Sequence, residues 1–240
     1  MQNPADNSAA DLAWLGEARR HGLLSRLPAS IAAAAVRGAQ RVEYPAGTVG
    51  LRWDRGPKAA IVLRGVLRSY IYYLDGTQVT TRYLKPGDLT GVFAPRRPAL
   101  TRGVQAVDRS ELLFIDAERV RELSLAEPQF AWAMIEELTT VLNETQRALY
   151  LRAFGSVRQR VVSAIVDRAT ASGQLEVGRK VLGTQQDLAT AVGSVREVVA
   201  ATLGALKHEG LVDVHRGSVV ILAPERLARE ADAAMGASAD

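Results

Sequence analysis

The spacing of apolar residues changes character along the chain, and each change predicts a different kind of structure. Residues 1–20, "MQNPADNSAADLAWLGEARR", are rich in Ala and polar residues, which predicts an N-terminal extension frayed at its start. "GLLSRLPASIAAAAVRGAQ", from about 22 to 40, has helical texture and stops before "YPAGT". From about 41 to 116 the apolar runs shorten and fill with Val, Ile, Tyr and Thr: "KAAIVLRGVLRSYIYY", "QVTTRYL", "GVQAVDRSELLFI". Asp75–Gly76 and Pro86–Gly87–Asp88 supply tight turns between them. Several short strands at this spacing predict an antiparallel barrel or sandwich. Within "RSYIYYL", alternation puts Tyr70 and Tyr72 on one face and Ile71 and Tyr73 on the other, as aromatics that fill the barrel.

After Pro128 the period becomes helical. "QFAWAMIEELTTVLNETQRALYLRAF" runs about seven turns with no Gly or Pro. Ile135, Leu138, Leu142, Thr145 and Leu149 are spaced three, four, three, four, the a/d seam of a two-stranded coiled coil. Trp132, Met134 and Val141 fall partly outside that line, so the helix carries apolar surface for its own barrel as well as for a partner. A second helix, "SVRQRVVSAIVDRATASG", lies between Gly155 and Gly173.

The stretch "TQQDLATAVGSVREVVAATLGALKHEGLV" (184–212) holds two candidate helix starts within ten residues. Thr184 with Asp187, and Ser194 with Glu197, each have the spacing of a capping box. Gly193 between them can take the positive φ of a sharp turn. Leu188, Ala189, Val192 and Val199 then face inward, as helix-turn-helix packing requires. The second helix presents Val198, Val199, Leu203 and Leu206 to the core, and its polar face begins with Arg196. "LVDVHRGSVVIL" follows as two alternating strands around Arg216–Gly217, a β-hairpin wing. A winged helix-turn-helix makes double-stranded DNA the expected partner.

Composition narrows the alternatives. With no cysteine, disulfides, thiolate metal sites and Cys-bound iron–sulfur clusters are excluded. His21, His208 and His215 are scattered, and the barrel region after His21 has neither His nor Cys, so haem is not expected. No apolar run approaches the roughly 18 residues of a membrane span, and the first residues lack a signal-peptide pattern, so a cytoplasmic protein with no membrane partner is expected. No catalytic triad, metal cluster, phosphate loop or close carboxylate pair appears in a supporting context, and no enzyme is expected. The net charge is only +4, and Phe154–Ala223 has eight basic residues against six acidic ones. One such domain would hold DNA weakly, whereas two on a dimer, each in a major groove one turn apart, would make up the shortfall.

The order of strand-rich barrel, long helix and winged helix-turn-helix resembles the cyclic-AMP receptor protein/FNR family of bacterial transcription regulators, over roughly residues 22–223. "YLKPGDLTGVF" (83–93) is similar to the family's Gly-Asp turn, "LYLRAFGSVRQRVVSAIV" (149–166) to its domain junction, and the 184–212 stretch to its helix-turn-helix signature. The resemblance implies an α+β chain: an N-terminal antiparallel β-barrel of the cyclic-nucleotide-binding-like jelly-roll type, a long dimerisation helix and a C-terminal winged helix-turn-helix. The corresponding boundaries are 1–20 for the extension, 21–128 for the effector domain, 129–153 for the dimer helix, 154–225 for the DNA-binding domain and 226–240 for a tail. It also implies a homodimer that works with RNA polymerase.

Carried over residue by residue, the resemblance places Arg196 and Glu197 on base edges; a phosphate contact and simple capping are the respective alternatives. Arg forks onto guanine and Glu accepts from cytosine, which suits a G·C-containing half-site. A third family arginine is Ala201 here. Gln185, Gln186 and Ser194 are implied phosphate contacts, and Arg216 stands at the tip of the wing. The effector pocket would hold Gly91, Val92, Thr101, Arg102 and Thr145. Val92 replaces the family glutamate that holds the ribose hydroxyl, and Leu100–Thr101 replaces the Arg-Ser pair that takes the cyclic phosphate. Cyclic AMP is therefore not the expected switch, and the effector stays open. The alternatives are a cyclic-nucleotide-responsive regulator anchored through Arg96, Arg97 or Arg102, and, more distantly, a nucleotide-binding regulatory subunit with an idle DNA-binding domain.

Overall fold

In the computed structural model, which describes Gly16 and residues 19–52, 59–72, 78–91 and 101–234, a 3₁₀ turn (Leu23–Arg26) and helix α1 (Ala29–Val36) lead into eight strands. These are β1 (Gln40–Tyr44), β2 (Val49–Arg52), β3 (Ala59–Arg64), β4 (Leu67–Tyr72), β5 (Gln78–Leu84), β6 (Leu89–Thr90), β7 (Thr101–Ala106) and β8 (Ser110–Ile115). They form two four-stranded antiparallel sheets, in the orders β1-β8-β3-β6 and β2-β7-β4-β5. The expected barrel is thus a double-sheet jelly roll.

Strand β3 shows why. Its run AAIVLR is buried on both faces, and successive side chains point opposite ways. Ala59, Ile61 and Leu63 enter a cluster with α1 and the following helices, while Ala60 and Val62 enter the core that includes Leu67, Leu84, Val104 and Leu112. Tyr70 is buried in β4, as alternation predicts, and Ile71 opposite is half-exposed. The side chains of Tyr72 and Tyr73 lie outside the described residues.

Helix α2 (Ala117–Ala126) starts where Asp116 Oδ1 accepts from the Glu118 amide at 2.9 Å. Helix α3 (Pro128–Phe154) follows, with Pro at a first-turn position where its missing N–H costs nothing. Phe130, Ala133 and Met134 are buried against the jelly roll. Glu137 joins them, 3% exposed, accepting from the Leu89 amide at 3.3 Å, and burial raises its pKa above the usual carboxylate range. Around the helix from these, Ile135, Leu138, Leu142 and Leu149 are 44–67% exposed, and Thr145 is exposed with them. The predicted seam is an unpartnered apolar stripe on the single chain. Trp132 is 63% exposed, outside the core cluster, with its indole N–H donating to Glu136 at 3.1 Å.

The C-terminal domain contains α4 (Val157–Ala171), β9 (Lys180–Leu182), α5 (Gln185–Val192), α6 (Arg196–His208), β10 (Val212–His215), β11 (Ser218–Ile221) and α7 (Pro224–Ala233). Its core gathers Val161, Ile165, Leu188, Val199, Leu203 and Leu206. Residues 226–240, expected as a tail, carry most of α7: Leu227 and Ala231, one turn apart, are buried in this core. Arg158 fastens α7 and the end of α6 to α4, donating to Glu230 at 2.6 Å and to Glu209 at 2.6 and 2.8 Å. Those bonds hold the Glu209 carboxyl below its ordinary range.

The two domains meet directly. Helix α5 packs on β5 of the jelly roll. Arg147 of α3 chelates Asp167 of α4 at 2.7 and 2.8 Å, and Arg152 donates to the Val192 carbonyl, the last of α5, at 2.8 Å. Among the described residues no single helix is long and apolar enough to cross a membrane.

Candidate nucleic-acid interface

Helix α5 begins as the sequence predicts. Thr184 Oγ1 accepts from the Asp187 amide at 3.1 Å, and Asp187 Oδ2 accepts from the Thr184 amide at 2.7 Å, closing the capping box. Gln185 is half-exposed and Gln186 exposed on the first turn, where free amides suit a phosphate. Helix α5 ends at Gly193 with φ 60°, in the left-handed region. The Gly193 amide turns back to Thr190 and the Ser194 amide to the Ala189 carbonyl at 2.9 Å. This pattern closes the last turn of α5.

That closure corrects the expected second capping box. Ser194 serves the end of α5, and α6 starts two residues later with Val195 as its cap and no side-chain capping bond. The glycine turn consumes the residue that the Ser194–Glu197 spacing assigns to capping. Val198 also departs from expectation: it is 43% exposed, while Val199, Leu203 and Leu206 are buried. From 199 the steps of four and three keep one face, and Val198 lies a third of a turn off it.

Helices α5 and α6 are bent by 107° from each other, within the usual range for a helix-turn-helix. Arg196 and Glu197 are exposed on the first turn of α6, flanked by exposed Val195 and Val198. Arg196 enters no ion pair among the described residues. Strands β10 and β11 pair antiparallel with His215 opposite Ser218, so Arg216 and Gly217 (φ 77°) form a two-residue wing tip with Arg216 exposed. Strand β9 extends the wing to three strands. Asp213, at the wing's base, pairs with Lys207 at 2.7 Å, which lowers its carboxyl pKa.

Of the predicted effector residues, Gly91, Arg102 and Thr145 are described. Gly91 follows β6 with φ 93°. Val92, Arg96, Arg97 and Leu100 lie outside the described residues, as does the side chain of Thr101. Arg102 is exposed on β7, opposite Ile71. Thr145 Oγ1 donates to its own helix at Val141 O, 2.7 Å. The Gly-Asp turn is structural: Asp88 accepts from the Lys85 amide and from Arg82 Nη2, both at 3.0 Å. Among the described residues no group of three or more metal-ligating side chains comes together.

A jelly roll, a long helix with an exposed apolar stripe and a winged helix-turn-helix with a free arginine define a DNA-binding regulator. A family model described as the Crp-like helix-turn-helix domain matches residues 159–230. The Cyclic AMP receptor protein of Thermus thermophilus is 30% identical over 193 residues, which cover 76% of this chain and 83% of its own. A CRP-like cAMP-activated global transcriptional regulator of Mycobacterium tuberculosis is 26% identical over 217 residues, or 88% of this chain and 97% of its own. A crp/fnr-family structure from Eubacterium rectale shares the fold, with a TM-score of 0.70 at 22% identity over 88% of this chain and 98% of that one. The chain belongs to the CRP/FNR family and is a transcription regulator with a helix-turn-helix DNA-binding domain.

Proposed function

We propose that the protein acts as a homodimer on a two-fold symmetric DNA site and reads bases through Arg196 and Glu197. The observation that carries this reading is the pairing of two unfilled surfaces: the α3 stripe and the exposed start of α6. Arg196 matches guanine, Glu197 matches cytosine, and exposed Val195 and Val198 match only the thymine methyl on a base edge. Gln185, Gln186, Ser194 and Arg216 fix register through phosphates. The reading places the protein in the cytoplasm, beside RNA polymerase, with no catalytic step of its own.

Arg196→Ala is the direct test. Affinity for the selected site should fall by roughly 1–3 kcal/mol, with relaxed preference at one base pair. An equal loss on every sequence would make Arg196 a phosphate contact.

Cyclic AMP is not the physiological switch in this reading, although relatives are named as cAMP-activated. The ribose hydroxyl needs a buried acceptor, and a valine at position 92 leaves it unpaired at about 1–3 kcal/mol. Leu100 leaves the phosphate without the arginine that family members place there. Both losses together should weaken binding by at least about two orders of magnitude. Titration calorimetry with cyclic AMP should therefore give no micromolar binding. A micromolar dissociation constant coupled to tighter operator binding would contradict the reading and point to Arg96, Arg97 or Arg102 as the anchor.

A further inference from the structure

A cavity of about 210 Å³ lies at the junction of the two domains. Strand β5 and α3 wall it on one side, α4 and α5 on the other. Of the residues the family resemblance places in an effector pocket, Gly91, Arg102 and Thr145 are described, and none of these three lines it. Its size falls below the roughly 300–1,000 Å³ of drug-sized pockets and suits a small metabolite.

The charges around it are unbalanced. Three carboxylates line the cavity, and all are engaged: Asp88 and Glu144 with Arg82 at 3.0 and 2.7 Å, and Asp167 with Arg147. Lys85, Arg152 and Arg160 also line it, and among the described residues none of the three is in an ion pair. Arg152 spends one N–H on the Val192 carbonyl, and Arg160 Nη1 makes a long 3.3 Å bond to Gly155 O. Arg160 Nε is buried with no acceptor among the described residues. One helical turn along α4, Ser163 is 2% exposed and its hydroxyl has no hydrogen-bond partner among the described residues. Buried polar groups in folded proteins are almost always satisfied, so unpartnered donors around a hole point to something that fills it. Arg152 and Arg160 also repel each other, which adds to burial in lowering the Arg160 pKa. An anion between them relieves both costs.

We propose that this cavity binds a small metabolite bearing carboxylate or phosphate oxygens, held by Arg152, Arg160 and the Ser163 hydroxyl. Leu151, Ala164 and Val192 offer an apolar wall to its carbon skeleton. The site is complete only while the domains are docked, because Arg152 comes from α3 and Arg160 and Ser163 from α4. Binding therefore favours the docked arrangement in proportion to its preference for it.

The test is titration calorimetry and thermal melting of the full chain with two probes, inorganic phosphate and succinate, against sodium chloride at matched ionic strength. At least one probe should bind saturably and raise the melting temperature; a phosphate-only or succinate-only response identifies the headgroup. Arg160→Gln should weaken that binding about tenfold or more, and Ser163→Ala by a few-fold. Arg121→Gln, on the exposed face of α2, should leave it unchanged. Ser163→Ala keeps the question decidable if Arg160→Gln folds poorly. No saturable binding of either probe by about 10 mM, or binding that both variants retain in full, would overturn the proposal. Operator binding, measured separately, stands or falls independently of it.

Discussion

Leu142→Asp should convert the proposed dimer to a monomer and lower operator affinity by at least about a hundredfold, a loss of about 2.7 kcal/mol. On the single chain Leu142 is 55% exposed, so the substitution alone is a surface change worth within about 0.5 kcal/mol of fold stability. In a parallel, two-fold α3 seam the same aspartate would face its own symmetry mate, between the Leu138 and Thr145 layers, with no cation to pair it. A buried unpaired charge costs about 3–5 kcal/mol, and a two-fold seam has two of them. Burying the four apolar seam residues contributes about 1 kcal/mol or more each per helix, so two aspartates offset most of the association energy. The C-terminal domain carries little net charge, and losing the second reading head removes half of the DNA contacts. Sedimentation velocity and fluorescence anisotropy check the two outcomes together. A dimer of unchanged stability would place the subunit contact elsewhere.

Gly193→Ala should unfold the DNA-binding domain early and abolish specific DNA binding. At φ 60° a side chain costs about 1–2 kcal/mol. The added Cβ would also overlap the Arg152 guanidinium and force it from the Val192 carbonyl. A hydrogen bond to a charged donor is worth about 1.5–3 kcal/mol, and the loss falls where α3 grips the helix-turn-helix. Gly204→Ala is the matched control: its Cβ meets nothing within 4 Å, and it lies inside α6. There alanine should stabilise by about 0.5–1 kcal/mol. Thermal melts followed by circular dichroism separate the two. Equal effects would mean that the Gly193 turn carries no special constraint.

Much of this architecture is legible in local pattern. The alternation in β4, the stripe on α3, the Thr184–Asp187 box and the Arg216–Gly217 wing all depend on residues a few positions apart, where helix and strand periods act. The misreadings arise where two local signals compete. Ser194–Glu197 has capping spacing, but the glycine turn ahead of it takes the Ser194 amide that Glu197 would bond back to, and α6 starts one residue later than that spacing sets, after Val195. Val198 sits beside the buried line of α6, and a list of apolar residues does not fix the angle. Helix α7 is hard to read because Leu227 and Ala231 are the residues it gives to the domain core, within an otherwise charged segment, and its tie to Arg158 is a long-range contact. The contacts at the domain junction could not be read at all. Arg147 meets Asp167 twenty residues on, and Arg152 meets Val192 forty residues on, and no periodicity encodes contacts set by how two domains dock.

The most direct measurement of the central claim is selection of bound DNA from a random duplex library by the full-length chain, followed by sequencing. The account predicts one enriched motif with two-fold symmetry, half-sites about one helical turn apart (10–10.5 base pairs centre to centre) and a G·C pair in each that Arg196→Ala no longer selects. An unsymmetric single site, or no enrichment over the starting library, would contradict it.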